Sequence, residues 1–329
     1  MNKLLLALGV SALSPLALAK PVIATSIKPV SMIVAAIAGD KAEIQQIVSS
    51  TASPHDFAMR PSDLKKILKA DTVVWVGESL ERFLEKPLEN ADKEKSSIEW
   101  LALDGMALHN FAEEHHHGED EAEEEHDDHD HEGHDDHDHE EHDDHDHEGH
   151  EGHEGHHHDG VDPHVWLSPD NARVLAKAVT ARLVSLDSAN TKYYKANLAS
   201  FEKGLNAKDA EIRKALNKVN KVPYIVFHDG YSYFEQHYGL NHVGEITVSP
   251  ERKPGAKKVA EIRHEIEEHN VQCVFSEPQF SPAIVKTLLE GSDVKTAPLD
   301  PLGSKVKMGT NAYFSFLDSL SGQFLSCLG

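Results

Sequence analysis

Between Glu113 and Asp159 the chain carries 17 His, 24 Asp or Glu, and neither Lys nor Arg. Inside this run, the stretch EEHDDHDHEGHDDHDHEEHDDHDHEGHEGHEGHHH (Glu124 to His158) contains no hydrophobic residue, and the unit HDDHDHE starts at His126, His134 and His142. Such a run has no apolar surface whose burial would offset the entropy of ordering it, so it is expected to be disordered. Whatever folds must therefore form around it. The same run explains the net charge of -24: outside it the acids number 32, equal to the 32 Lys plus Arg. The acidity is local, and the remainder of the chain is close to neutral. No basic patch appears, which argues against a nucleic-acid partner.

The first residues, MNKLLLALGVSALSPLALAK, place one Lys ahead of an apolar run and end on the small-residue pattern Ala17-Leu18-Ala19. That is the form of a secretory signal peptide, residues 1–19, cleaved after Ala19. The apolar run is too short and interrupted for a membrane span, and no Cys near the cleavage point offers a lipid anchor. An exported, unanchored chain of this composition fits a bacterial periplasm. The two cysteines, Cys273 and Cys327, then read as a disulfide, because the compartment is oxidising and the pair is even. It would join the apolar run VQCVF to the final helical run. The alternative, a cysteine metal site, would have only these two distant thiols to build from.

Without the signal and the acidic run, about 260 residues remain, enough for two modest cores. Short β-rich runs (VIATSI, EIQQIVS, TVVWVG, SIEWLAL) alternate with helical ones (SMIVAAIAGD, PSDLKKILKA, SLERFLEKPLENA). This rhythm predicts an α/β lobe whose mostly parallel sheet is flanked by helices, spanning residues 20–187 with 113–159 as an inserted loop. The run SANTKYYKANLASFEKGLNAKDAEIRKALNKV keeps helical spacing for roughly 30 residues. It is too long for a surface helix of one small lobe and is expected, over 188–219, to be a backbone helix joining two lobes. The β/α rhythm resumes with YIVFH, HVGEITV, VQCVFSEP and KTAPLD, which predicts a second α/β lobe over 220–329.

In open α/β sheets ligands bind beyond the carboxyl ends of strands. Four side chains suited to metals fall at such places: His55 in SSTASPHDF, His164 in DPHVWLSP, His228 at the end of VPYIVFHD, and Asp300 at the end of TAPLDPLG. Both lobes contribute, so a site built from them would lie in the cleft between lobes. Three imidazoles with one carboxylate, or a water, make a tetrahedral nitrogen-rich set that suits Zn²⁺, whereas Mn²⁺ prefers more oxygen. Pro54 and Pro163 stiffen two of the presenting loops. Asp56, Asp162 and Asp229 are the nearest acids able to fix the far ring nitrogens. His109, His237, His242, His264 and His269 lack such placement and are read as surface or packing residues. In HEIEEHN, His264 and His269 lie five apart and do not share a helix face as an HExxH pair would. Glu78 and Glu277, near strand ends, could be extra ligands or helix caps, the cap being the favoured reading, and Trp75, Trp100 and Trp166 are read as core or cleft aromatics.

At SPHDF, RPSDLKKILKADTVVWVG, DPHVWLSP, VFHDGYSYFEQHYGL, FSEPQF and LDPLG the chain resembles the high-affinity zinc-uptake substrate-binding proteins of bacterial ABC transporters. These belong to the metal-specific cluster of periplasmic binding proteins, and the motifs run through essentially the whole mature chain in family order. The resemblance implies two lobes held by a rigid helix, with zinc in the cleft. The family's metal-binding His positions match His55, His164 and His228, and its carboxylate matches Asp300. It also implies a Cys273–Cys327 disulfide and a His/Asp-rich insertion matching 113–159. It implies a monomer that hands zinc to a membrane permease. In one respect the chain departs: where zinc binders of this kind often carry Glu before the first His, Pro54 stands here. The fourth ligand is therefore open between Asp300, a water and a His of the acidic run. That run is expected to be a flexible, low-affinity zinc collector. Other readings are a periplasmic zinc buffer or metallochaperone, and a zinc hydrolase, for which no general base is evident by motif.

Overall fold

The structure is a computed structural model that describes residues 19–111, 160–247, 254–281 and 283–329. The expected signal peptide, apart from its last residue, and the His-rich run 113–159 lie outside the described residues.

The first half of the chain builds a four-stranded sheet. Its strands are β1 (Val22–Thr25), β2 (Glu43–Gln46), β3 (Thr72–Trp75) and β4 (Ile98–Glu99), arranged β2-β1-β3-β4, with every pairing parallel. The second half repeats the plan with β5 (Tyr224–His228), β6 (His242–Thr247), β7 (Cys273–Ser276) and β8 (Lys295–Pro298), arranged β6-β5-β7-β8 and again parallel. In both sheets the order reverses between the first and third strands, the kind of switch point where α/β proteins form ligand crevices.

Helix α1 (Lys28–Ala38) is buried along its whole length. Its sequence, KPVSMIVAAIA, is apolar all round after the first turn, as a helix enclosed on every side must be. Pro29 opens it, at a position where a missing N–H costs nothing. Gly39, at φ 54°, ends it and returns its N–H to the Ala35 carbonyl. Helix α2 (Pro61–Lys69) also starts with proline. The buried Asp63 carboxylate accepts from the Arg60 backbone and the Lys66 ammonium. The run SLERFLEKPLENA, expected as one helix, is broken into α3 (Glu78–Glu81), a 3-10 turn (Arg82–Leu84) and α4 (Glu85–Asn90). Pro87 accounts for this: it has no N–H for the Phe83 carbonyl, and its ring crowds that position.

Helices α5 (Pro169–Leu186) and α6 (Thr191–Leu216) follow, and α6 is the long helix that joins the lobes. The second lobe adds α7 (Ser232–Tyr238), α8 (Ala256–Glu268), α9 (Ala283–Leu288) and α10 (Ala312–Leu328). One apolar core continues from Val73 and Ile33 in the first lobe through Leu175, Phe201 and Phe316 to Tyr224 and Phe275 of the second sheet. A smaller core, with Ile225, Ile246, Ile262 and Val274, lies under α8 and α9. Polar ties also cross the chain's halves: Trp166 Nε1 donates to the Pro301 carbonyl at 2.8 Å, and Tyr313 Oη to the Trp166 carbonyl at 2.8 Å. A shared core resists hinge opening, because separating the lobes would expose close-packed apolar surface.

Cys273 in β7 and Cys327 in α10 form a disulfide with Cα atoms 6.0 Å apart, closing a separation of 54 residues. It pins the last helix to the second sheet. A loop of this length is worth at most about 4 kcal/mol through the entropy of the unfolded chain. Cys327→Ser is therefore expected to lower the unfolding free energy by up to about that amount in a denaturant titration. An unchanged midpoint would show that the bond adds nothing to the fold.

Candidate metal centre

Three histidines from three separate loops meet in the crevice. His55 follows β2, in a loop where its backbone N–H donates to Ser53 Oγ at 3.2 Å. His164 sits in the segment Asp162-Pro163-His164 that leads into α5 and is 1% exposed. His228 is the last residue of β5, at the switch point of the second sheet, and is 3% exposed. Their ligand atoms all lie within 4.8 Å of one another. Nε2 of His164 is 3.2 Å from Nε2 of His55 and 3.1 Å from Nε2 of His228.

What stands behind the rings decides what these nitrogens are. Nδ1 of His164 lies 2.6 Å from Asp162 Oδ1, and Nδ1 of His228 lies 2.5 Å from Glu277 Oε1. Each carboxylate accepts a hydrogen bond from Nδ1–H, so the neutral form of each ring keeps its proton there and presents a lone pair at Nε2. Two lone pairs about 3 Å apart repel unless a cation lies between them. A metal held tetrahedrally at the usual zinc–nitrogen length of about 2.0–2.1 Å requires ligand nitrogens about 3.3 Å apart. The observed separations are close to that edge.

The electrostatics are uneven across the triad. Burial, with the neighbouring His164 and His228, holds His55 well below its ordinary 6.5. Burial also pushes His228 down, but the Glu277 carboxylate outweighs it and the net shift is upward. Asp162 is pulled the other way by burial, yet His164 and the hydroxyl of Ser232 hold it below the usual carboxylate value. Asp162 is itself fixed: Ser232 Oγ donates to its Oδ2, and Tyr233 Oη donates to its carbonyl at 2.7 Å.

Part of the wall is apolar. Trp166 lies 5.1 Å from the His164 ring and Phe280 lies 6.3 Å from the His228 ring, Pro54, Pro301 and Leu302 add to the apolar wall, and Ser53, Glu277 and Gln279 are the polar residues of the lining besides the histidines. The chain also passes close at Gly230, where a Cβ would fall 2.4 Å from His228 Nε2 as the ring now stands.

Asp300, the fourth residue expected from the sequence, is not part of the group that contains the three imidazoles. It is 5% exposed, and its carboxylate is engaged by its own loop. Oδ1 accepts from Leu302 N at 3.2 Å and Gln279 Nε2 at 3.1 Å, while Oδ2 accepts from Ser304 N and Ser304 Oγ, both at 2.6 Å.

Of the three acids expected behind the rings, Asp162 is found there. Asp229 is not, because successive residues leaving a strand point to opposite faces; its place behind His228 is taken by Glu277 from the end of β7. Asp56 is exposed and makes no hydrogen bond to His55 among the described residues. Glu277, expected as a helix cap, is thus a ring partner. Its position one residue past β7, the strand beside β5, was the signal available for it. The other histidines are packed or solvated: His109 stacks on Tyr233 with centroids 4.2 Å apart, His242 pairs with Glu235, and His264 and His269 pair with Glu268 and Glu265 along α8.

With this geometry in place, comparison with known proteins is informative. The family model described as zinc-uptake complex component A, periplasmic (ZnuA) matches residues 23–327. The high-affinity zinc uptake system protein ZnuA of Yersinia pestis is 37% identical over 96% of this chain and 93% of its own. That of Haemophilus ducreyi is 41% identical over 92% of each chain. Among solved structures, a crystal structure of ZnuA superposes with a TM-score of 0.72 at 22% identity, covering 94% of this chain and all of the other. A zinc-bound ZnuA deletion mutant gives 0.71 at 21% identity, covering 94% and 99%. These two structures share the fold. The match along nearly the whole chain, at the identity of the curated relatives, shows that the protein belongs to the periplasmic zinc-uptake component A family.

Proposed function

We propose that this protein is the periplasmic zinc-capturing component of an ABC importer, with His55, His164 and His228 holding the ion in the interlobe crevice. The observation that carries this reading is the convergence of three imidazoles, two of them backed by carboxylates, with Nε2 of His164 3.2 and 3.1 Å from the other two, close to the edge of a tetrahedral site. Zinc is the cargo. It enters among neutral imidazoles, and Asp162 and Glu277 hold the His164 and His228 rings in the tautomer that presents Nε2. The apolar part of the wall lowers the local dielectric, which strengthens each bond to the ion. Asp300 organises the loop after β8 through the carboxylate contacts described above, and the fourth coordination position faces the crevice.

The shared core favours local motion of the presenting loops over wide closure of lobes. Delivery then consists of docking on a membrane permease, which draws the ion out by displacing those loops. The protein acts as a monomer, exported by cleavage after Ala19. Among the described residues no helix is long and apolar enough to cross a membrane.

The His-rich run 113–159 is a collector. Its pairs of imidazole and carboxylate hold zinc weakly, because each must order flexible chain to do so. Many weak sites tethered near a strong one raise its local supply. The place of attachment supports this role. Asn110 and Val161 form an antiparallel bridge, Asp162 N donates to the His109 carbonyl at 2.8 Å, and the next residues are Asp162 and His164 of the site. The run therefore leaves and rejoins the fold beside the metal ligands.

In a calorimetric titration with a competing chelator, mature protein lacking 113–159 is expected to keep one tight zinc site. His228→Ala should weaken that site by at least about a hundredfold, and Glu277→Gln by about ten- to a hundredfold. Absence of the tight site after the deletion would move the ligands to the run and refute the crevice assignment. The pH dependence has a definite sign. Zinc binds deprotonated imidazole, and His228 titrates above 6.5. Proton competition therefore begins above pH 6.5 and deepens as pH falls, while His55, held low, adds its share only at lower pH. Affinity that is the same at pH 7.5 and pH 5 would rule out the imidazole ligands.

A further inference from the structure

Gln279 lines the crevice with the three imidazoles, on the segment that follows β7 and carries Glu277. Its Nε2 donates to the Ser50 carbonyl at 3.2 Å and to Asp300 Oδ1 at 3.1 Å. Both partners are acceptors only, so the orientation of the amide is fixed: a flipped group would set oxygen against oxygen. Both amide hydrogens are thereby used. Ser50 belongs to the loop that presents His55 and Asp300 to the loop after β8, so this one amide ties the two lobes across the mouth of the site.

The carbonyl oxygen of the same side chain is buried and has no donor among the described residues. An amide oxygen shut away from water without a donor is costly, and such a group calls for an explanation. Asp300 cannot supply a donor, since its carboxylate accepts only, and its lone-pair sites are filled by Leu302, Ser304 and Gln279 itself. What the crevice lacks, once three imidazoles surround an ion, is a fourth ligand. A coordinated water fills that position, and it carries strongly acidic hydrogens that need an acceptor.

We infer that Gln279 positions the water that completes the ion's coordination, its Oε1 accepting a hydrogen bond from that water while its Nε2 clamps Ser50 to Asp300. This rests on the three-histidine reading above and adds to it the identity of the fourth ligand and the residue that holds it. It also gives Asp300 a defined part: it anchors the Gln279 amide rather than binding the ion.

The test uses the full mature chain loaded with one equivalent of Co²⁺, whose visible absorption follows its ligands, in wild type, Gln279→Leu and Gln279→Glu. Leucine removes acceptor and donor together; glutamate keeps an acceptor oxygen and removes the donor. In wild type a pH titration of the Co²⁺ spectrum should show ionisation of a bound water. Gln279→Leu should weaken Co²⁺ affinity several-fold, to about tenfold, and displace the ionisation midpoint. Gln279→Glu keeps the acceptor but sets its second oxygen against Asp300 and the Ser50 carbonyl, so it should weaken affinity less than leucine does, and it should raise the midpoint, because an anionic acceptor favours the protonated water. Both variants should melt at a lower temperature, since both lose the clamp. The inference is overturned if wild type shows no such ionisation, if leucine leaves affinity and spectrum unchanged, or if the two variants weaken binding equally. A parallel His228→Ala sample separates the two levels. If it binds Co²⁺ as wild type does, the three-histidine site itself is wrong, whatever Gln279 does.

Discussion

Nε2 of His164 faces Nε2 of His55 at 3.2 Å and Nε2 of His228 at 3.1 Å, an arrangement that a protein has little reason to hold for its own sake. Because carboxylates hold Nδ1–H of His164 and His228, the neutral forms of these two rings set lone pair against lone pair unless a proton or a metal ion lies between them. The fold spends rigidity to keep them there. His228 is fixed by being the end of a buried strand and by Glu277 from the next strand. His164 is fixed through Asp162, which Ser232 and Tyr233 hold from the second lobe. His55 is the least supported of the three and the most exposed, on a loop tied across the crevice by Gln279. That gradient of support suggests which ligand moves first when the ion enters or leaves.

The architecture around the site follows from the same demand. The three imidazoles come from both lobes, so their separations depend on how firmly the lobes are joined. Here one apolar core runs between the sheets through α1, α6 and α10, and the disulfide fixes α10 to β7, the strand that precedes Glu277 and Gln279. The distance between the two halves of the site is thus set by packed side chains. Among the described residues, an antiparallel bridge between Asn110 and Val161 brings together the chain on either side of the run 113–159.

Much of this was legible in the sequence. The alternation of β-rich and helical runs gave eight strands in two parallel sheets, and the long helical run proved to be the joining helix, Thr191–Leu216. The one expected helix that broke did so in the turn Arg82–Leu84, just ahead of Pro87, whose missing N–H and ring act on the Phe83 carbonyl. Within the site, strand ends with stiffening prolines located all three histidines that converge. Adjacency in sequence was a poorer guide to their partners: Asp162, two residues from His164, reaches its ring, whereas Asp229, one residue from His228, faces away. Glu277 stood out only as an acid near a strand end, and Gln279 not at all, because their roles come from the pairing of β7 beside β5. That is a fact of topology, which no local pattern encodes. The Asp300 carboxylate met four donors from its own loop and from Gln279, and the local sequence gave no warning of how fully it would be engaged.

The account stands or falls on what surrounds the ion. Zinc K-edge X-ray absorption on the mature protein lacking 113–159, loaded with less than one equivalent, would count the ligands directly. Four light-atom scatterers at about 2.0–2.1 Å, with the outer-shell pattern of three imidazoles, are the predicted result. A shell of six oxygens, or fewer than three imidazoles, would contradict it.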